Sequence, residues 1–442
     1  MRHGVVKPAA RNPATPDAAA RVDAAVPSRQ KGEAQLGPWI LLLCAAVIAA
    51  LRLASGNLSS IDFGSHYDIA TAIAHGENAF SRVTTDALAS PAIGVLYSPF
   101  LVFSRATAAA VFFVVNVCAL TMLLRLTLGS GSRVSSRPLS PWAACVLAAL
   151  IVNASPTLET LRLGQVSALL AFFLLRALLL PEGRSAPFAL AAAMVLKSTF
   201  GALALPLLSW RHFRLCILGV AAFVAVSLAP ALFGCNLWSS YASSAERLHH
   251  TLGAAGINNA AVHGSGLLNF DLFRNPIINL CCKGLAGAVL LAVLVRDYRL
   301  RRSVTLNTLV LAATVTLTVV YHRLHDALVL LPLLGLLTLG LWQQGRRTTS
   351  AFAAVFLLWF EIPESLILRA EETLGASSRW LITSPYRPAG LHHLMPLNAC
   401  LMLLLLLFAA WVSFCEPAIT FESKCSVPRD ARDTPQAARI AH

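Results

Sequence analysis

Asp62 lies in the run Ile61-Asp62-Phe63-Gly64-Ser65-His66-Tyr67-Asp68, directly after the first long apolar segment of a chain that is poor in acidic residues. A carboxylate among aromatics and histidine at a membrane boundary costs free energy unless it has a partner or a task, and a positioned carboxylate can take a proton from a reacting hydroxyl. Lys197 interrupts the otherwise apolar stretch Ala189–Phe200, and a cation there is a candidate anion site. A third polar group is Tyr321-His322-Arg323-Leu324-His325-Asp326. Gln165 with Glu159 and Arg162, and Asn258, Asn259 and His263, complete the set of polar residues between apolar runs. Each has a structural reading beside the chemical one. Asp62 could cap a helix together with Ser59. Lys197 could snorkel to headgroups, and Gln165 could bond a neighbouring helix. The two histidines could be plain interfacial residues, and Tyr97-Ser98-Pro99 could only start a helix.

The elements that must position these residues are helices in a bilayer. The chain has 442 residues, 57% of them hydrophobic and 13% charged, and runs such as Trp39–Ala54, Ala106–Leu124 and Pro276–Val295 approach the length of a membrane crossing. No ten-residue alternation of a barrel is visible, so the expected class is an all-α polytopic membrane protein. The net charge of +14 sits in short clusters between apolar runs. That is the positive-inside pattern, with anionic lipid as counter-charge, and it argues against nucleic acid.

Placing every basic cluster inside yields about twelve crossings with both termini cytoplasmic. They lie near 37–55, 106–126, 142–154, 164–181, 186–197, 200–210, 214–233, 276–296, 303–321, 326–342, 349–367 and 394–415, with a short re-entrant piece at Tyr97–Phe103. Residues 1–36 and 416–442 read as disordered cytosolic tails around one transmembrane domain, 37–415. Several of the helices between 142 and 210 span only about 16 to 20 Å, as helices do that surround a site inside a bundle. The path was built from Lys and Arg alone. It nonetheless puts Asp62, His66, Tyr67, Gln165, Lys197, Asn259, His263 and the 321–326 turn on the outer side, which argues for one shared site. Most of the ten cysteines fall in apolar runs and read as small buried hydrophobes, with neither a disulfide framework nor a metal site expected.

Asp62-Phe63-x-x-His66-Tyr67-x-x-Ala70 with Gly76 and Tyr97-Ser98-Pro99 resembles the opening of family-87 glycosyltransferases, membrane enzymes of GT-C type. The order continues with Gly164-Gln165-Val166-Ser167-Ala168-Leu169-Leu170, the Ala-rich Ala191–Lys197, and Leu328-Val329-Leu330-Leu331-Pro332 after His325-Asp326. The chain departs from the family pattern at His66, Ser98 and Ser198, where the family usually has Tyr, Pro and Pro. The resemblance implies an inverting hexosyltransferase that takes a sugar, mannose by the family's habit, from a polyprenyl-phosphate donor to an envelope glycan or glycolipid on the outer face of the cytoplasmic membrane. In that role Asp62 is the base. Lys197, then Arg323, His322 and His325, hold the donor phosphate. His66, Tyr67, Tyr97, Gln165, Asn259 and His263 line the substrates. No cofactor is implied, and a divalent metal would need a carboxylate cluster.

Two other readings keep the outer site. An O-antigen-type polymerase or ligase would use Arg247, His249, His250 and His263 of the loop 234–275, but it leaves Asp62 unexplained. A lipid-linked glycan transporter would show paired halves with matching broken helices, and the sequence carries no such repeat.

Overall fold

The computed structural model describes residues 36–55, 60–77, 91–135, 138–229, 276–320, 322–363 and 397–421, with a few isolated positions between them. The regular elements among the described residues are helices, and an isolated bridge joins Thr305 and Thr420. In order the helices are α1 (Leu36–Ala54), α2 (Ile61–Ala74), α3 (Ala92–Tyr97), α4 (Arg105–Val134), α5 (Pro141–Asn153), α6 (Ser155–Leu163), α7 (Ser167–Leu179) and α8 (Ala186–Leu196). There follow α9 (Leu205–Ser209), α10 (Phe213–Leu228), α11 (Pro276–Arg299), α12 (Leu306–Val319), α13 (Leu330–Gln343), α14 (Arg347–Trp359) and α15 (Leu397–Cys415). Tighter 3-10 turns at Ser98–Val102, Ser198–Ala204 and Leu324–Val329 run into their neighbours.

Five of these segments are long and apolar enough to cross a membrane, or six if the bent pair α5–α6 counts as one. The chain is therefore a membrane protein. Each of the twelve segments expected from the sequence contains helix among its described residues, but six described apolar helices are shorter than a bilayer-spanning length, and twelve crossings are not established. Two expectations change. Residues 200–210 form a 3-10 turn and the five-residue α9, where a crossing was expected. Residues 155–163, read as part of a loop, form α6, bent by 48° from α5. Pro156 explains the break: its ring cannot continue the helix of α5, yet it suits the first turn of α6. Arg52 reinforces it by donating to the Asn153 carbonyl at 2.6 Å.

The core forms around α7, α12 and α13. Nearly every side chain of α12, from Leu306 to Thr318, is buried, as are most of α13. α13 packs on α4, α12 and α14, and α8 packs on α7 and α10. Small residues allow the close approach: a Cβ on Gly335 would lie 2.3 Å from Leu147 Cδ1, the kind of contact that holds helices together where water does not drive them.

The polar residues collect at the two opposite ends of α12. At its start the buried Asp297 carboxylate accepts from Thr308 Oγ1 at 2.6 Å and pairs with Arg296 at 2.9 Å and Arg302 at 3.6 Å. Arg296 also donates to the Ser413 carbonyl, and Arg346 pairs with Glu416 at 3.2 Å. Arg296, Arg302 and Arg346, which belong to the basic clusters that set the expected cytoplasmic side, therefore gather at one end. At the other end of α12 lies the 322–326 turn.

Candidate active site

α2 begins against the turn that ends α6. Gly164 closes α6 in the left-handed conformation, φ +68, and a Cβ there would sit 2.9 Å from Phe63 Cβ. Only glycine lets this helix end lie directly on the first turn of α2. The Ser60 amide reaches the Arg162 carbonyl at 3.4 Å. Ser60 precedes the helix with φ 43 and makes no side-chain cap, so Asp62 is the second residue of α2 and not its cap. Its carboxylate is half-buried, makes no hydrogen bond or ion pair with the described residues, and lies where a helix N-terminus favours negative charge.

His66, one turn on, shares the Asp62 face of α2 and is buried. Its ring meets Tyr97 edge-on, with centroids 5.2 Å apart. Burial, and secondarily the Asp62 charge, pushes the Tyr97 phenol well above its ordinary range. Phe63, Tyr97, Phe100 and Phe112 pack with centroids 5.1 to 6.1 Å apart and fix the position of α2 over α3 and α4. Tyr67 turns the other way and donates to the Phe103 carbonyl at 3.0 Å, which ties α2 to the end of the re-entrant segment.

The second half of the site is built on Asp326, which is fully buried. Its Oδ2 accepts from Lys197 Nζ at 2.5 Å, from His322 Nδ1 at 3.0 Å and from the Arg323 amide at 3.3 Å, and its Oδ1 accepts from Ser167 Oγ at 3.2 Å. Lys197 follows the last residue of α8 in an extended conformation, φ −156. It therefore leaves the helix end instead of interrupting a span. His322 is enclosed, its ring 4.6 Å from Phe200. His325 stands between two carboxylates, Nδ1 3.9 Å from Glu159 Oε1 and Nε2 3.7 Å from Asp326 Oδ1.

The two halves are within electrostatic reach of each other. Burial and, after it, the Lys197 charge lower the imidazole of His66, the neighbour of Tyr97, to about 4. The unfolded chain takes up a proton on this residue near 6.5 and the folded chain only near 4. Stability tied to neutral His66 is thus present above that window and is lost as pH falls through it. Denaturation of detergent-solubilised protein should show a loss between about pH 6.5 and 4.5 that His66→Gln reduces. Parallel pH profiles of the two proteins would show that His66 does not stay neutral.

Among the described residues, six of the twelve buried side-chain polar atoms without a hydrogen-bond partner belong to this region: His66 Nδ1, Tyr97 Oη, Glu159 Oε2, Thr199 Oγ1, His322 Nε2 and His325 Nδ1. Buried polar groups are normally paired, so such a concentration marks a place that a polar ligand or water completes.

Of the site residues expected from sequence, Asp62, His66, Tyr97, Lys197, His322 and His325 meet in this region. Arg323 contributes its amide to Asp326, and Gln165 is half-buried beside Gly164, its amide bonded to the Thr160 carbonyl at 2.9 Å. Asn259 and His263 lie outside the described residues. From their loop, Leu268 is buried and donates its amide to the His322 carbonyl at 3.1 Å. Ser167 and Glu159 have a larger part than their sequence context suggests. A hydroxyl opening an apolar helix was the one signal for Ser167, and Glu159 stood out only as an acid between apolar runs.

No curated protein and no solved structure is matched by this chain. A protein-family match covers residues 90–321, more than half of the chain, which includes Tyr97, Glu159, Gln165 and Lys197 while α2 and the 322–326 turn flank it. Carrying that match, the chain belongs to glycosyltransferase family 87 and is a membrane glycosyltransferase.

Proposed function

We propose that the protein transfers a hexose, mannose by the family resemblance, from a polyprenyl-phosphate donor to a hydroxyl of an envelope glycan or glycolipid on the outer face of the cytoplasmic membrane. The observation that supports this reading is a half-buried carboxylate at Asp62, with no hydrogen bond or ion pair among the described residues, and a partly exposed cation at Lys197, each within electrostatic reach of the buried His66–Tyr97 pair. A membrane-anchored donor keeps its chain in lipid and its sugar in water, which suits a site built at helix ends. Asp62 takes the proton of the acceptor hydroxyl as its oxygen bonds to the anomeric carbon. The sugar–phosphate C–O bond breaks, and the pair of electrons leaves on the phosphate, whose growing charge Lys197 stabilises. Attack opposite the departing phosphate inverts the anomeric centre.

His66, neutral and buried, and Tyr97, whose hydroxyl has no hydrogen-bond partner among the described residues, would hydrogen-bond the sugar. His322, His325 and Arg323 support the phosphate side through Asp326, and Gln165 borders the acceptor side. The chain's residues supply the whole proposed chemistry, with no cofactor. Purified protein in liposomes, given polyprenyl-phosphate mannose and an envelope glycolipid extract, should release polyprenyl phosphate and mannosylate the extract. No transfer from that donor, with transfer from a nucleotide sugar, would refute the reading.

The orientation is part of the proposal. In a cysteine-free background, His75→Cys, in the expected outer segment, should react with an impermeant thiol reagent in intact cells. Ser303→Cys, exposed beside the Asp297 cluster, should react only after lysis. Labelling of Ser303→Cys from outside would invert the topology.

A further inference from the structure

Resting on the reading of Lys197 as the donor-phosphate cation, we infer that Asp326 is the positioning residue of the site: a fixed buried counter-ion that holds the Lys197 ammonium at the place the phosphate must occupy. Asp326 is itself unsuited to be a base. It has no exposed surface, and four donors from three separate stretches of chain converge on its two oxygens. No acceptor hydroxyl can reach it.

Lys197 is different. Its side chain is 27% exposed against 0% for Asp326, and it is the one donor of the four on a long, freely rotating stem. Ser167, the His322 ring and the Arg323 amide are held by α7, by Phe200 and by the chain of the 322–326 turn. The carboxylate is thus anchored by three rigid donors and acts on the fourth. A lysine stem left to itself loses rotamer freedom on being fixed. The Asp326 pair meets that ordering cost before the donor arrives, and misplacement of a catalytic group by about 1 Å can cost on the order of 100-fold.

A purely architectural Asp326, a knot joining α7, α8 and α13, would look the same in static geometry. A double-mutant cycle separates the two. The variants are Asp326→Asn, Lys197→Met and the pair together, each measured for thermal unfolding in detergent and for affinity toward farnesyl phosphate, a short polyprenyl phosphate. Lys197→Met leaves the buried Asp326 carboxylate without its lysine counter-charge, so its midpoint should fall, and Asp326→Asn in that background should restore it. Farnesyl phosphate affinity should drop at least about 10-fold in Asp326→Asn, and the double variant should bind no more weakly than Lys197→Met, as for groups that act as a unit.

The inference is overturned if Asp326→Asn binds the phosphate as well as wild type or more tightly, since Asp326 would then only oppose the anion. It is equally overturned if the losses multiply in the double variant. Failure of the glycosyl-transfer reading shows separately, as wild-type protein that binds farnesyl phosphate but moves no sugar from polyprenyl-phosphate mannose.

Discussion

Asp62→Asn should lower sugar transfer at least about 100-fold, the low end for general base catalysis, with expression, unfolding midpoint and donor binding close to wild type. The substitution keeps size and hydrogen bonding and removes only the proton acceptor. The structure sharpens the comparison, because Ser60 and not Asp62 precedes α2, and the Ser60 side chain makes no cap. An architectural loss in Asp62→Asn is then limited to the weak attraction between a carboxylate and the helix N-terminus, about 0.3–1 kcal/mol. Initial rates in liposomes, normalised to folded protein, decide it. Retained activity would move the base to another carboxylate, and Glu159, with one buried oxygen unpaired among the described residues, would be next.

Lys197→Ala carries the second large effect, and it has two parts. Truncating one partner of a buried charge pair weakens binding by roughly 2–5 kcal/mol, so the donor KM should rise by at least about 30-fold. The same change strips Asp326 of its only lysine or arginine side-chain partner among the described residues, so the protein should also unfold more easily. Sequence alone predicts an inserted, normally folded variant with a donor defect. The buried pair adds a stability defect that a lysine snorkelling to headgroups would not show. Unchanged donor KM with a lowered midpoint would leave Lys197 a structural partner of Asp326 and no more.

The order of helices was legible because hydrophobic runs and basic clusters are strong, additive signals. Each expected segment contains helix among its described residues, and Arg296, Arg302 and Arg346 gather at the Asp297 end. Length was less legible. At Ser155-Pro156 a polar, proline-bearing stretch reads as a loop, yet the proline starts α6, whose far end carries Gly164 onto α2. Residues 200–210 have the composition of a crossing but curl as a 3-10 turn into α9. The site residues were legible as types out of place, which found Asp62, Lys197 and the 322–326 run. Their pairing was not. Lys197 and Asp326 are 129 positions apart, and nothing local in either stretch points to the other. Ser167, a small hydroxyl among leucines and phenylalanines, gives no sign of a charged partner until α7 is seen beside the 322–326 turn.

That separation has a consequence for biogenesis. Translation delivers α8 and Lys197 to the membrane long before the stretch bearing Asp326 emerges, so every nascent intermediate in between holds an ammonium without its counter-ion. Such a state is stabilised only by headgroups and water, which favours keeping the short α8 at the interface until the last helices arrive. Asp326, buried and costly alone, likewise has nowhere to settle until Lys197 is within reach. Closure of the site and completion of the bundle are thus one event, and a chain arrested before Asp326 should be recognised by membrane quality control as unfinished.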